Sequence, residues 1–246
     1  MIYPSAADIL RVVPHANRTI IGSLADAMPL LCEKGGINTI FRLSHLLGQC
    51  AHESDGFRTE EEYASGSAYE MRRDLGNVVK GDGRLFKGRA DIQLTGRSNY
   101  KAASLFVRVL LGRPSIDLVA TPQLVATDRA VGLACDIWFW ATHKLNALAD
   151  QGVTAMVITH ITKIINGGTN GLNQRMTLTL AFYRMLLTLQ TIPLPIPLSQ
   201  PVTAPAVLIS NPIAPVHVAS VPVQPESKPW FFQKFLSLIL RLLSPR

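Results

Sequence analysis

Residues 39–57 read Thr39-Ile40-Phe41-Arg42-Leu43-Ser44-His45-Leu46-Leu47-Gly48-Gln49-Cys50-Ala51-His52-Glu53-Ser54-Asp55-Gly56-Phe57. Apolar side chains recur at 40, 41, 43, 46, 47, 50 and 51, a helical period. Asn38 or Thr39 can cap the start, and the helix is expected to run to about Glu53 and to stop near Gly56. Working outward, Ser5–Val13, with Ser5 as N-cap, and Thr19–Glu33, closed by Gly35-Gly36, have the same texture. So do Asn99–Leu111, Asp128–Thr142, Thr154–Ile165 and Thr169–Leu189. Between them, residues 57–95 carry glycines at 66, 76, 81, 83 and 88, the punctuation of hairpins and irregular loops. Arg84–Thr95 is the expected strand. The fold class is therefore mainly α with a small early β-hairpin region.

Of the 246 residues, the first 190 contain five prolines and mixed charge, whereas 191–229 contain ten prolines and almost no charge. Such a stretch packs no core and is expected to be an extended linker. Three segments follow: a domain at 1–190, a Pro-rich linker at 191–229 and a basic amphipathic helix at 230–246. The net charge of +7 favours anionic partners (cell-wall polymers, anionic lipid or nucleic acid) and does not choose among them. Cys32, Cys50 and Cys135 form no CxxC pair and suit reduced thiols. Residues 1–10 lack the basic and apolar regions of a signal peptide, and no apolar run reaches the roughly 18 residues that span a bilayer.

The acids suggest hydrolysis of a glycosidic bond. A general acid for that reaction must be protonated near neutral pH, about two units above the glutamate reference of about 4.3. Glu53 sits at a helix C-terminus, beside Leu47 and Phe57 and near Asp55 and Glu60–Glu62, all of which are expected to disfavour its charge. Glu62, nine residues on, can face it as the base if 57–62 turn back; Glu61 and Glu70 are rivals. Inverting glycosidases hold the two groups about 6.5–9.5 Å apart to admit a water. Gln93 and Thr95, two apart on the expected strand, share a face and could orient that water and bind a sugar, with Asn99 beside them. Asn166-Gly167-Gly168 precedes a helix holding Arg175, a loop amide and a guanidinium suited to steadying a carboxylate. Trp138-Phe139-Trp140 is expected to be mostly core. Position 56 is glycine, so His52-Glu53 is not the HExxH of zinc proteases. Cys50 and His52 do not face one another on a helix, and there is no Gly-rich phosphate cradle.

Taken in order, these motifs resemble family 19 glycoside hydrolases, in the chitinase-like lysozyme branch common among phage endolysins. The pieces are Ala51-His52-Glu53-Ser54, Glu61-Glu62-Tyr63-Ala64-Ser65-Gly66, Ala68-Tyr69-Glu70, Asp74-Leu75-Gly76-Asn77, Gly81-Asp82-Gly83 and Lys87-Gly88-Arg89. Ile92-Gln93-Leu94-Thr95-Gly96-Arg97, Asn99-Tyr100, Trp138-Phe139-Trp140, Leu145–Asp150 and Ile165-Asn166-Gly167-Gly168 complete them, over about residues 5–188. The resemblance implies a lysozyme-like fold and an inverting mechanism. Glu53 would be proton donor, Glu62 general base and Thr95 the hydroxyl that holds the water. His52, Gln93, Asn99, Asn166 and Arg175 would bind substrate or support it. Asp55, Met71 and Ala90 stand where such sequences carry glycine, so each is expected at positive φ at a cost on the order of 1 kcal/mol.

In Trp230–Ser244 the polar residues Gln233, Lys234, Ser237, Arg241 and Ser244 fall within one sector of roughly 100°, as expected of a helix lying in a membrane interface. The expected function is an endolysin-type hydrolase cutting β-1,4 bonds of peptidoglycan glycan strands. It would act as a monomer, held in the host cytoplasm before release to the periplasm and cell wall. The tail would meet an anionic membrane surface; no metal, cofactor or nucleic acid enters this reading. A chitinase, or a non-catalytic wall-binding or membrane-disrupting protein, is the alternative.

Overall fold

The computed structural model describes residues 1–191, which form ten α-helices, with a long loop region at 54–81 between the third and the fourth. The expected linker beyond Thr191 and the expected helix at 230–246 lie outside the described residues. The first helix, α1 (Ala6–Val12), opens with a capping box in which Ser5 and Asp8 satisfy each other's backbone N–H groups. Helix α2 (Arg18–Lys34) is capped by the Asn17 side chain and ends at Gly35. Helix α3 (Ile40–Glu53) is capped by Thr39 and is the axis of the domain, with ten of its fourteen residues buried.

Helix α4 (Asp82–Leu85) is a single turn within the loop region, and α5 (Arg97–Leu111) follows it. Next come α6 (Leu124–Thr127), α7 (Arg129–Thr142) and α8 (Leu145–Ala149). Helices α9 (Ala155–Asn166) and α10 (Leu172–Thr191) close the domain. Each long helix lies within a few residues of its expected bounds. Helix α10 takes in Thr191, the first residue of the expected linker.

Helix α10 packs along α3, and α7 packs against α2 and α5. The α3–α10 approach is set by Gly48: a Cβ there would stand 2.2 Å from Thr179 Oγ1 and 2.8 Å from that residue's backbone N and Cα. The three cysteines are buried and unpaired. No helix among the described residues is long and apolar enough to cross a membrane.

The expected strand at Arg84–Thr95 is absent. In its place are α4, a tight turn, and two isolated antiparallel bridges, Glu61 with Arg89 and Arg89 with Leu94. Ala90 and Gln93 each have φ of 61°, which breaks any regular pleat. The region is held instead by side chains that satisfy the backbone. Glu70 accepts from the N–H groups of Gly81 and Gly83. Asp82 accepts from Val78 and Val79, each at 3.0 Å, and pairs with Arg97, whose guanidinium lies 4.5 Å above the Phe86 ring.

Candidate active site

Glu53 is the last residue of α3 and is buried. Just beyond it the chain reverses through three consecutive residues at positive φ, Asp55 (55°), Gly56 (71°) and Phe57 (57°). This strained turn is fastened on several sides. The Gly56 N–H donates to Ala51 O at 2.7 Å, the Phe57 N–H to Ser54 Oγ at 3.1 Å, and the Asn17 N–H to Phe57 O at 3.0 Å. The Phe57 ring is wholly buried. The Glu53 carboxylate accepts from Arg175 of α10; the same guanidinium donates to Gln49, one helical turn before Glu53, and its Nε to Asn170 O at 3.1 Å. Gln49 in turn donates to Thr162 of α9 at 3.1 Å.

The surroundings of Glu53 correct one expectation. Its charged neighbour is a cation, and the acids expected to crowd it are engaged elsewhere. Asp55 reaches Arg58 (3.4 Å) and the Tyr63 hydroxyl (3.3 Å), and Glu60 pairs with Arg129 at 3.1 Å. Glu61 pairs with Lys87 at 2.5 Å and Arg89 at 3.3 Å; burial raises it, but the two cations outweigh that and hold it below the usual carboxylate range. The reason is the path after the turn, which fans the acids outward instead of stacking them on one helix end.

Glu62 has a different setting from its neighbour. Its carboxylate accepts from the Tyr69 hydroxyl at 2.8 Å and from the Gly88 N–H at 3.1 Å, both neutral donors. Gly88 is where Glu62 meets Gln93 and Thr95: a Cβ there would lie 2.4 Å from Gln93 Oε1 and 3.3 Å from Thr95 Oγ1. Thr95 Oγ donates to Gln93 O at 2.9 Å, and Asn99 Nδ2 donates to Thr95 O at 2.8 Å. Gln93, Thr95 and Asn99 line a cavity of about 290 Å³ whose far wall is Trp138, Phe139 and His143. A family model for class I chitinases matches residues 21–156.

The chain belongs to glycoside hydrolase family 19. It is 27% identical over 208 residues to a glycosyl hydrolase family 19 domain-containing protein of Haemophilus influenzae, covering 72% of this chain and 92% of that one. It is 32% identical over 165 residues to an acidic 27 kDa endochitinase of Solanum lycopersicum, covering 60% of this chain and 62% of that protein. Among solved structures, chitinase C of Streptomyces griseus superposes with a TM-score of 0.55 at 22% identity, over 74% of this chain and 91% of that one. A second bacterial family 19 chitinase gives 0.57 at 22% identity, over 75% and 95%. These likenesses show the mainly helical, lysozyme-like fold.

Within this family 19 domain the sequence-derived residues fall into two clusters joined by α9. Glu53 and Arg175 form one, with Gln49 and Thr162. Glu62, Gln93, Thr95 and Asn99 form the other, around Gly88. Helix α9 links them, because Thr162 bonds Gln49 while Ile165, three residues on, is in the cavity wall. Neither Glu53 nor Glu62 is in that wall. Asn166 is buried at the end of α9, before Gly167 at φ 68°. His52 stands apart: its Nδ1 donates to Gln174 Oε1 at 2.7 Å, and its ring fills the space where a Cβ on Gly171 would be, at 2.0 Å.

Gln93 and Thr95 do line one cavity, though through a turn at positive φ and not through strand alternation. Of the aromatic trio, Trp140 is core and donates to Asn146 at 2.9 Å, while Trp138 and Phe139 reach the cavity. Gln49, Tyr69 and His143 were missed. Gln49 is four residues before Glu53 and so shares its helix face, a signal present in the sequence. His143, at the end of α7 and four residues after Phe139, on which it stacks, had the same signal, whereas Tyr69, though part of the quoted Ala68-Tyr69-Glu70 motif, is brought to Glu62 by the loop path.

Proposed function

We propose that this protein cuts β-1,4 bonds of the peptidoglycan glycan strand, in the manner of an endolysin, by inverting general acid/base catalysis. The observation that carries this reading is the Glu62 carboxylate held by two neutral donors, one of them the amide of Gly88, the glycine that Thr95 also flanks, in a domain that places a buried glutamate, Glu53, at a helix end. Thr95 gives its own hydrogen to Gln93 O, so towards a water it acts as acceptor. A water giving one hydrogen to Thr95 and one to Glu62 has a lone pair left for the anomeric carbon. Glu62 takes up the proton as the C–O bond forms, and Glu53 protonates the departing glycosidic oxygen. An ion-paired carboxylate is the wrong form for that donor. In this reading the Glu53–Arg175 pair therefore opens when substrate fills the cleft, Glu53 takes up a proton from solvent, and Arg175 stays on Gln49.

Gln93, Asn99 and Asn166 bind the sugar, and His52 supports α10 through Gln174, beside Arg175. The tail at 230–246 carries the protein to anionic membrane on its way from the host cytoplasm to the wall. A chitinase is the second reading, favoured by the similarity to plant proteins named endochitinases. Mass spectrometry of products from purified peptidoglycan and from colloidal chitin tests both. New reducing ends from peptidoglycan, absent with Glu53→Gln, are expected. Cleavage of chitin alone selects the second reading. Lysis of permeabilised cells by Glu53→Gln at the parent's rate removes the enzymatic reading and leaves a wall-binding protein.

A further inference from the structure

Beside the cavity, whose wall includes Asp136, α3, α7 and the turn at 89–95 hold a buried charge cluster that the proposed chemistry does not use. Arg129 of α7 pairs with Asp91 and, at 3.1 Å, with Glu60. Asp136, two turns further along α7, accepts the Ile92 N–H at 2.9 Å through Oδ1. Arg129 is 6% exposed, and Asp91 and Asp136 are each 1% exposed. Ligand atoms of Asp91, Asp136 and Cys50 lie within 4.8 Å of one another. The remaining oxygens, Asp91 Oδ1 and Asp136 Oδ2, are buried and have no hydrogen-bond partner among the described residues.

Two ionised carboxylates offer each other no donor, and an unsatisfied buried charge is costly. One proton between them supplies the missing donor and removes one charge. The pair also holds the turn at two successive residues. The Asp91 side chain is tied to Arg129 and the Ile92 amide to Asp136, between the positive-φ residues Ala90 and Gln93. Thr95 and Gln93 project from that turn into the cavity.

We propose that Asp91 and Asp136 share one proton and that Asp136, through this pair, is a positioning residue that fixes the 91–95 turn and hence the Thr95 hydroxyl. The titratable and charged groups acting on or felt by Asp136 are Asp91 from the loop region, Arg129 and Cys135 from α7, Cys50 from α3 and Cys32 from α2, while Glu60 faces Arg129. Burial, and after it the Asp91 charge, lifts Asp136 well above the usual carboxylate range. A carboxyl raised in the folded state binds its proton more tightly there than in the unfolded chain. Its contribution to stability is therefore full below the unfolded value, near 3.9, and declines as pH rises towards the folded value.

The test compares Asp136→Asn with Asp136→Ala in the full chain. Asparagine copies the protonated acid: its oxygen still accepts from Ile92 and its amide donates to Asp91. Asp136→Asn is expected to gain in Tm over the parent as pH rises from 5 to 8, and to lose a protonated-carboxyl band seen in the parent's infrared spectrum. Asp136→Ala is expected to lower kcat about 10- to 100-fold, with KM changing less, and to speed hydrogen exchange at Ile92. Asp136→Asn is expected to recover most of both. A parent without a protonated-carboxyl band, or an Asp136→Asn variant as impaired as Asp136→Ala, overturns the proposal. So does a parent Tm raised by Zn²⁺ but not in Asp136→Asn, which would make the cluster a metal site. The infrared, Tm and exchange readouts stand even if neither glycan is cleaved, so failure of the proposed function would be seen separately.

Discussion

Glu61 and Glu62 are adjacent in the chain and opposite in circumstance. Glu61 is neutralised by Lys87 and Arg89, while the Glu62 carboxylate has Tyr69 and Gly88 and forms no ion pair among the described residues. Glu62→Gln is accordingly expected to cut kcat by about 10²–10⁴-fold with little change in Tm. Glu61→Gln should do the reverse, and kinetics paired with thermal melts on both variants checks the assignment. The sequence placed both acids but left the choice among Glu61, Glu62 and Glu70 open, because it depends on which donors the loops deliver. Backbone strain was more legible. Asp55, Met71 and Ala90, read as standing in glycine positions, have φ of 55°, 54° and 61°. Phe57 and Gln93, at 57° and 61°, carried no such mark. Their conformation is imposed by burial of a ring in one case and by the anchored turn in the other.

At the scale of elements, Gly48 governs how closely α10 lies on α3, and so whether Arg175 can reach Glu53. Gly48→Ala is expected to destabilise the protein by about 1–3 kcal/mol, because the methyl meets Thr179 backbone that cannot yield alone. Calorimetry should show a Tm lower by several degrees, and turnover should fall along with it. The loop region depends on acids instead. The Arg97 hydrogen bonds, opposed by burial, hold Asp82 below the usual range, and Arg72 does the same for Asp74. A carboxyl lowered by folding contributes stability above its unfolded value and loses it as pH falls through the folded one. Asp82→Asn should therefore cost Tm at pH 6 and cost much less at pH 2, a difference that melts at the two pH values will show. Helices were readable because their caps (Ser5, Thr39, Gly35) and apolar period are local. The expected strand failed because contacts from α7 and from Glu60, remote in sequence, shape residues 89–95.

At the scale of the whole molecule, residues 1–191 contain the entire match to family 19 and a continuous core from α1 to α10. A protein ending at Thr191 is expected to keep its activity on soluble glycan fragments. By the reading of 230–246 as a membrane-interface helix, it should lose binding to anionic vesicles. Flotation of both forms with such vesicles, alongside product analysis, decides whether the tail serves the membrane or the chemistry.

The two ends of the described domain are joined. The Ile2 N–H donates to Gln190 Oε1 at 3.0 Å, and Gln190 Nε2 donates to Ile2 O at 2.8 Å. Chain order is thus a weak constraint on this architecture. A peptide bridge a few residues long could join those ends, with new termini opened in the turn at Gly112, and every helix would keep its neighbours. The same adjacency means that anything fused ahead of residue 1 would start beside the end of α10, so an added N-terminal partner and the last helix would be neighbours.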